Sequence, residues 1–284
     1  MNVSPRQQAA VTEFRALHQT DCFVLPNPWD IGSAIYLQHL GFKALATTSA
    51  GVAFSRGRSD DTPALPLEVM LEHFREISTA TPLPVNADFQ AGYADQPEGV
   101  AANVTRCIAT GVAGLSIEDN TGESEQPLYE KAAAIERIRA ARAAIDSSGI
   151  PVVLTGRCEA WLVDQPDPFR FSLDRLTSYA EAGAGCLYAP GVVDEKEIAA
   201  IVKAVAPKPV NILLHGTLAK LSLTQFADLG VRRVSIGSSL ARAAWGGFAR
   251  VAKRISEDGK FDGFADAMPF GELNELFRHP QSHV

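Results

Sequence analysis

The sequence contains eight short apolar runs rich in β-branched residues, and a stretch with helical spacing of apolar residues follows each run. The runs are residues 22–28, 44–49, 83–89, 114–119, 151–157, 186–191, 209–215 and 232–238. Helix-ending glycines precede several of them, in "HLGFKAL", "ATGVAGL", "EAGAGCL" and "DLGVRRV". Continuous apolarity is typical of parallel strands that are buried on both faces. Eight such units predict an α/β protein, a (β/α)8 TIM barrel.

The alternative architecture is an open doubly wound sheet, but no GxGxxG motif follows the first run. We therefore expect one barrel domain over residues 1–284, with a C-terminal helical extension at about 250–284. The tail "FDGFADAMPFGELNELF" is rich in aromatic and apolar residues. We expect this tail to pack on another subunit or across the base of the barrel.

Composition excludes several classes of partner. A net charge of −7 without a basic run argues against nucleic acid. The four cysteines form no CxxC pair, so neither a zinc site nor a disulfide framework is expected. No apolar run reaches the ~18 residues of a membrane span, and the N-terminus lacks the apolar core of a signal peptide. We expect a cytoplasmic protein that binds a small molecule, not nucleic acid or a membrane.

The C-terminal strand ends, where TIM barrels carry their chemistry, supply many polar side chains. Among them, Asn86, Asp88 and Glu118, with Asp61 from a loop, have the all-oxygen character that magnesium prefers. Asp and Asn at strand ends also cap the following turns, so a purely structural role is the alternative.

Arg157 ends its strand in "TGRCEA", which directs its guanidinium into the barrel mouth. There it can hold a carboxylate or phosphate through two hydrogen bonds, or form an ion pair with Glu118 or Glu159. Ser49 in "SAG" offers a hydroxyl and neighbouring N–H groups to an anion. The long loops at 50–66 and 119–130 are interpreted as mobile covers.

Two enzyme classes are disfavoured. No lysine stands at the C-terminal end of a strand, which argues against a Schiff-base aldolase. Only His215 among the six histidines falls at such an end, and GxSxG is absent, which argues against a Ser-His-Asp hydrolase.

The segments "TTSAG", "SDD", "NADFQAGYA", "GLSIEDNTG", "GRCEAWL" and "PVNILLHG" occur in this order on successive strands. Through these segments the chain resembles the isocitrate lyase/phosphoenolpyruvate mutase superfamily. The resemblance extends from "LPNPWDIGSA" to "SLARAAWGGF". The resemblance implies a magnesium-dependent barrel and a homodimer or homotetramer that exchanges its last helix between subunits. It also implies small 2-oxo or 2-hydroxy carboxylate substrates, whose C–C or C–P bonds react through an oxyanion or enolate.

Carried over residue by residue, the resemblance implies two groups of site residues. The substrate-binding group is Ser49, Ala50, Gly51, Arg157 and Asn211. The metal group is Asn86, Asp88, Glu118 and Asp61, with Asp60 as the alternative to Asp61. Arg157, Glu118 and Asp61 are the predicted catalytic residues.

Two departures from the superfamily pattern matter. Asn86 stands where a magnesium-binding aspartate is usual, which lowers the charge of the site by one and should weaken metal affinity. The lid "NTGESEQPLYE" lacks the Lys, Cys and His of the lyase lid motif. Cleavage of isocitrate or methylisocitrate by the cysteine route is therefore not expected. The proton would come from water, Tyr129, Glu123 or Glu125, or His215.

We predict a carbon–carbon lyase for a small 2-oxo or 2-hydroxy di- or tricarboxylic acid, acting through a magnesium-stabilised enolate. Decarboxylation, for example of oxaloacetate, fits the missing cysteine best because it needs only enolate stabilisation. The alternatives are a phosphoenolpyruvate or phosphonopyruvate mutase or hydrolase, and a non-catalytic 2-oxo-acid-binding protein.

Overall fold

The computed structural model describes residues 4–61, 63 and 65–278. Its single sheet has eight strands: β1 (Phe23–Leu25), β2 (Leu45–Ala46), β3 (Val85–Asp88), β4 (Gly114–Glu118), β5 (Val153–Arg157), β6 (Cys186–Tyr188), β7 (Val210–Leu213) and β8 (Arg233–Ser235). All pairings are parallel, in the order β1-β8-β7-β6-β5-β4-β3-β2.

Hydrogen bonds between the segments of β1 and β2 bring the two ends of the sheet together. The N–H of Ala46 donates to the carbonyl of Pro26 at 3.0 Å. The Asn27 amide donates to the carbonyl of Thr47 at 3.0 Å. The predicted (β/α)8 barrel is confirmed, and all eight apolar runs contain a strand.

Helices surround the barrel in the expected alternation. They are α1 (Pro5–Leu17), α2 (Ile31–His39), α3 (Ser49–Ser55), α4 (Leu67–Ala80), α5 (Pro97–Ile108), α6 (Lys131–Ser148), α7 (Pro168–Glu181), α8 (Glu195–Val205), α9 (Leu223–Asp228), α10 (Ser239–Asp258) and α11 (Phe270–Arg278). Helix α6 ends at Ser148 and is capped by Gly149, whose φ of +72° is a left-handed conformation that glycine adopts without steric cost.

Aliphatic residues fill the layer between strands and helices, whereas several polar side chains occupy the barrel interior. Val85 and Ala87 of β3 pack outward into the hydrophobic core. The alternate residues Asn86 and Asp88 line the cavity inside the barrel, as the two-residue repeat of a strand requires. Helix α1 adds Phe14, which is fully buried and makes an edge-to-face contact with Phe23 of β1.

The C-terminal helices leave much apolar surface exposed. Of the twenty residues of α10, only Ala241 is buried, and Trp245 and Phe248 on that helix are 46% and 64% exposed. Helix α11 contacts α2, but Phe270 at its start is 85% exposed. Exchange of helices between subunits and the boundary of the C-terminal extension stay predictions. No helix in the described ranges combines the length and apolarity that crossing a bilayer requires.

Candidate active site

A cavity of about 60 Å³ lies inside the barrel, toward the C-terminal ends of the strands. On the side of β3 and β5 it is lined by Asn86, Asp88 and Arg157. On the side of β7 and β8 it is lined by Asn211, Arg233 and Ser235, so predicted site residues from three strands meet here.

Arg157 is the centre of a charge cluster in the barrel mouth. Its Nη1 lies 3.3 Å from Oδ1 of Asp88 and 3.2 Å from Oε2 of Glu118. Its Nη2 donates to Oε2 of Glu159 at 3.1 Å, and its Nε donates to the other oxygen of the same carboxylate. Both ion-pair partners considered from the sequence are therefore present, together with Asp88.

Three carboxylates around one guanidinium leave the mouth with excess negative charge. Burial raises the pKa of Glu118 well above its usual range, with Arg157 opposing and Glu159 adding to the rise. Burial likewise raises the pKa of Glu159. Burial disfavours the charge on Arg157, but Glu159 and Glu118 outweigh it and raise the arginine pKa. The cluster is suited to take up a proton or a cation.

The predicted anion-binding amides of "SAG" already have partners inside the protein. The N–H of Ser49 donates to Oδ2 of Asp88 at 2.9 Å, and that of Gly51 donates to the Thr48 hydroxyl at 3.2 Å. Ala50 is buried. A Cβ at Gly51 would lie 2.7 Å from a methyl carbon of Thr48, so only glycine fits this close approach. A substrate carboxylate would have to displace Asp88 to reach the Ser49 amide.

The two aspartates of the "SDD" loop occupy different surroundings. Both are exposed, and Asp61 accepts a hydrogen bond from the Ser59 hydroxyl. Asp60 is hydrogen-bonded to Ser49, and desolvation followed by the nearby charge of Asp88 raises its pKa to about 6. Asp60, the alternative to Asp61, thus interacts with Ser49, Asp88 and Arg157 of the candidate site.

Asn86 is 4% exposed, and its Oδ1 has no hydrogen-bond partner within the described chain. Its Nδ2 donates to the carbonyl of Ala87 at 3.3 Å. On the neighbouring strand a side chain at Gly114 would collide with Oδ1, because a Cβ there would lie 2.7 Å from it. The unpaired amide oxygen is available to a cation or a water molecule.

The remaining predicted residues divide between the interior and the surface. Asn211 is buried beside Arg233 and Ser235, with which it shares hydrogen bonds of 2.9 and 3.0 Å. The Nε2 of His215 is buried and has no partner among the described residues. Glu123 and Glu125 are exposed on the lid.

Tyr129 fastens the lid to the barrel. Its hydroxyl donates to Oδ1 of Asp95 at 2.7 Å, and its ring stacks on the guanidinium of Arg137 at 3.9 Å. Partial burial and the hydrogen bond to Asp95 raise the pKa of Tyr129 to about 12. The hydrogen bond to Asp95 and the stacking on Arg137 thus fix this side chain between the lid and the barrel.

A buried network behind the mouth was missed by sequence reasoning. Asp119 accepts hydrogen bonds from the N–H of Glu159 at 2.8 Å, from Nη1 of Arg175 at 3.0 Å and from the Tyr179 hydroxyl at 2.7 Å. Arg175 also donates to the carbonyl of Tyr129 at 2.6 Å. Arg175 and Tyr179 lie on the buried face of α7. A charged residue within the apolar face of a helix is the sequence signal that could have indicated this network.

Comparison with known proteins places this geometry in a family. The model of the phosphoenolpyruvate phosphomutase (PEP mutase) family matches residues 14–256. A crystal structure from Burkholderia cenocepacia J2315, provisionally assigned as a lyase/mutase, superposes with a TM-score of 0.94 at 43% identity, covering 99% of this chain and 100% of that one.

Two curated enzymes are similar over most of the chain. The 2-methylisocitrate lyase of Escherichia coli (strain K12) is 26% identical over 252 residues, 86% of this chain and 82% of the relative. The oxaloacetate decarboxylase of Chromohalobacter salexigens is 27% identical over 252 residues, 85% and 83% of the respective chains. The predicted membership of a lyase and mutase superfamily is confirmed, and the chain belongs to the PEP mutase family of (β/α)8-barrel enzymes within the isocitrate lyase/PEP mutase superfamily.

Proposed function

We propose that the protein is a lyase that cleaves or decarboxylates a small 2-oxo or 2-hydroxy di- or tricarboxylic acid through an enolate. The observation that carries the proposal is the cluster in which Asp88, Glu118 and Glu159 surround Arg157. A cluster with excess carboxylates can hold a cation beside the developing oxyanion, and its arginine can hold a substrate carboxylate.

Substrate binding requires an exchange of partners in this cluster. The substrate carboxylate replaces Asp88 at the Ser49 amide and shares the guanidinium of Arg157 with Glu159. The freed Asp88 carboxylate then has an oxygen available for a cation. Asn211 contributes an amide on the opposite wall of the cavity.

The residues present fit a hydrated magnesium ion better than a fully protein-ligated one. No three His, Cys, Asp or Glu side chains in the described ranges form a ready-made metal site. Magnesium retains several waters and needs only one or two carboxylates, and the unpaired Oδ1 of Asn86 adds a neutral oxygen ligand. We propose that Asn86, Asp88 and Glu118 hold the ion, with Asp60 from the loop in place of Asp61. Bound magnesium would supply positive charge to the substrate oxygen.

Two of the predicted proton donors are favoured by their positions. His215 has a buried Nε2 without a partner in the described chain, at the C-terminal end of β7. Water is the other, because the lid residues Glu123 and Glu125 are exposed and Tyr129 is anchored to Asp95. A decarboxylation followed by protonation from water or His215 requires no lid cysteine.

The direct test is turnover of oxaloacetate by the purified protein with magnesium, measured as pyruvate formation. The panel continues with 2-alkylmalates, isocitrates and phosphonopyruvate. R157K keeps a positive charge in the mouth, but an ammonium group lacks the planar set of N–H donors with which a guanidinium binds carboxylates through paired hydrogen bonds. We expect R157K to lose most of the activity. No turnover on any of these compounds would overturn the proposal, and tight binding without product would support the non-catalytic alternative.

A second candidate is C–P chemistry on phosphoenolpyruvate or phosphonopyruvate, favoured by the match to the PEP mutase family model. This candidate predicts that phosphonopyruvate raises the melting temperature of the protein and is turned over. Oxaloacetate should neither raise the melting temperature nor be turned over.

We also propose a cytoplasmic homodimer or homotetramer in which α10 and α11 pack on a second copy. The exposed Trp245 and Phe248 support this, because monomers seldom leave such apolar surface uncovered. Light scattering of the wild type and of F248E tests it. A monomeric wild type would contradict the proposal, as would an F248E variant with an unchanged mass.

A further inference from the structure

Arg233 is a buried arginine on β8 that lines the active-site cavity and has only neutral partners. It is 2% exposed. Its Nε donates to Oδ1 of Asn211 at 2.9 Å, its Nη2 donates to Oγ1 of Thr155 at 3.0 Å, and its Nη1 lies 3.2 Å from Nε2 of His18. A cation removed from water without a counter-charge is costly.

No carboxylate offsets that charge inside the barrel as far as the described ranges show. The ion pairs in the barrel mouth belong to Arg157, and that of Arg175 with Asp119 lies behind the mouth. The cost of burying Arg233 unpaired is therefore retained in the fold, and a ligand with negative charge would offset it.

The arginine also fixes how its partners are oriented. A guanidinium has only N–H donors, so each partner must present an acceptor to it. His18 accordingly accepts at Nε2 and carries its hydrogen on Nδ1, which donates to the carbonyl of Phe14 at 2.7 Å. Burial, and then the charge of Arg233, lower the pKa of His18 to about 3, which keeps the ring neutral.

The same rule settles the amide of Asn211. Its oxygen must face Arg233, so its NH₂ group faces the other way, where one N–H donates to Oγ of Ser235 at 3.0 Å. The second N–H of Asn211 has no bond recorded in the described chain, and neither do two of the five N–H groups of Arg233. This wall of the cavity thus offers donors and positive charge, opposite the Asp88 carboxylate on β3.

We propose that Arg233 is a positioning residue, which holds the Asn211 amide with its N–H groups toward the cavity and supplies the charge that selects a dianionic acid over a monoanionic one. The inference rests on the proposed function and deepens it, since the group selected is the second carboxylate of the substrate.

The test measures binding without turnover. Malonate is the dianion, and 3-hydroxypropionate, with the same carbon skeleton, is the monoanion; calorimetry gives Kd for each in the presence of magnesium. We expect wild type to prefer malonate and R233M to lose about tenfold or more of that preference, as for a lost charged hydrogen bond. R233K keeps the positive charge but not the planar set of N–H donors, and we expect its preference for malonate to lie between those of wild type and R233M.

The matched control is R232M. Arg232 is the adjacent residue and carries the same charge, but it lines a separate groove with Arg15 and Lys208. Its removal should leave the preference unchanged. An unchanged preference in R233M would overturn the inference, as would an equal fall in R232M or a wild type that binds both acids alike.

If R233M does not fold, S235A replaces it, because Ser235 holds the NH₂ side of Asn211. We expect a fall in preference of about threefold for this neutral hydrogen bond, and no fall would contradict the inference. A failed function and a failed inference remain distinguishable. Absence of turnover with a persisting malonate preference refutes the proposed function, and turnover with an unchanged preference in R233M refutes this inference alone.

Discussion

The carboxylate of Asp119 accepts a hydrogen bond of 2.8 Å from the backbone N–H of Glu159, two residues beyond Arg157. The end of β4 thereby positions the residue whose side chain grips Arg157 through two nitrogens. The other carboxylate oxygen of Asp119 binds Arg175 and Tyr179 of α7. The charge cluster in the mouth therefore rests on a second, fully buried ion pair.

Replacing Asp119 by Asn should destabilise the protein and reduce activity. Arg175 would lose its buried counter-charge, which costs about 3 kcal/mol. Urea unfolding measures the loss. Y179F is the matched control, since it removes one hydrogen bond to the same oxygen and should cost about 1 kcal/mol. Equal losses in the two variants would show that the Arg175 charge does not matter.

Most of the barrel could be predicted because parallel strands have a strong sequence signal. The run 44–49 shows where that signal ends: only Leu45 and Ala46 are strand, and Ser49 already begins α3. The two-residue alternation of a strand also turns Cys158, which follows Arg157, away from the mouth, and its sulfur is buried 3.4 Å from the Ser172 hydroxyl.

The rest of the site could not be read from local patterns. The choice between Asp60 and Asp61 depends on the path of a loop, and a loop has no periodicity that predicts which side chain turns inward. Arg175 and Arg233 are buried charges in otherwise apolar elements, and their partners are distant in the sequence. Such residues are recognised only when the tertiary contacts are known.

Restoring the usual aspartate with N86D should tighten magnesium binding. One added negative charge beside a divalent ion should lower the Kd at least about tenfold, even with strong screening. Without magnesium the variant should be less stable than wild type by about 2 kcal/mol or more, because the amide oxygen it replaces is buried without a partner. Calorimetry with magnesium and unfolding with and without the ion measure both effects. Unchanged affinity would argue against a metal at Asn86.

Asp60 should give the protein a stability that falls as the pH rises. Its pKa is raised to about 6 from an ordinary value of 3.8, so the fold favours the neutral carboxyl. That contribution is fully present below pH 3.8 and is lost as the pH rises through about 6. The amide in D60N stays neutral, so the variant should gain stability relative to wild type between about pH 4.5 and 7.5. The free energy of unfolding of both proteins is measured across this pH interval. A difference between D60N and wild type that does not change with pH would contradict the assignment. D61N, which removes the neighbouring carboxylate of the same loop, is the control variant.

Tyr129 should prove to be a lid anchor rather than the proton donor. Y129F removes the hydrogen bond to Asp95 but keeps the ring that stacks on Arg137. We expect a loss of stability of about 1 kcal/mol or less and little change in kcat, whereas removal of a general acid typically costs about 10²-fold or more. Steady-state kinetics on the substrate found in the panel measures kcat, and D95N tests the anchor from its other side. A hundredfold fall in kcat for Y129F with normal activity in D95N would instead make the tyrosine hydroxyl the donor.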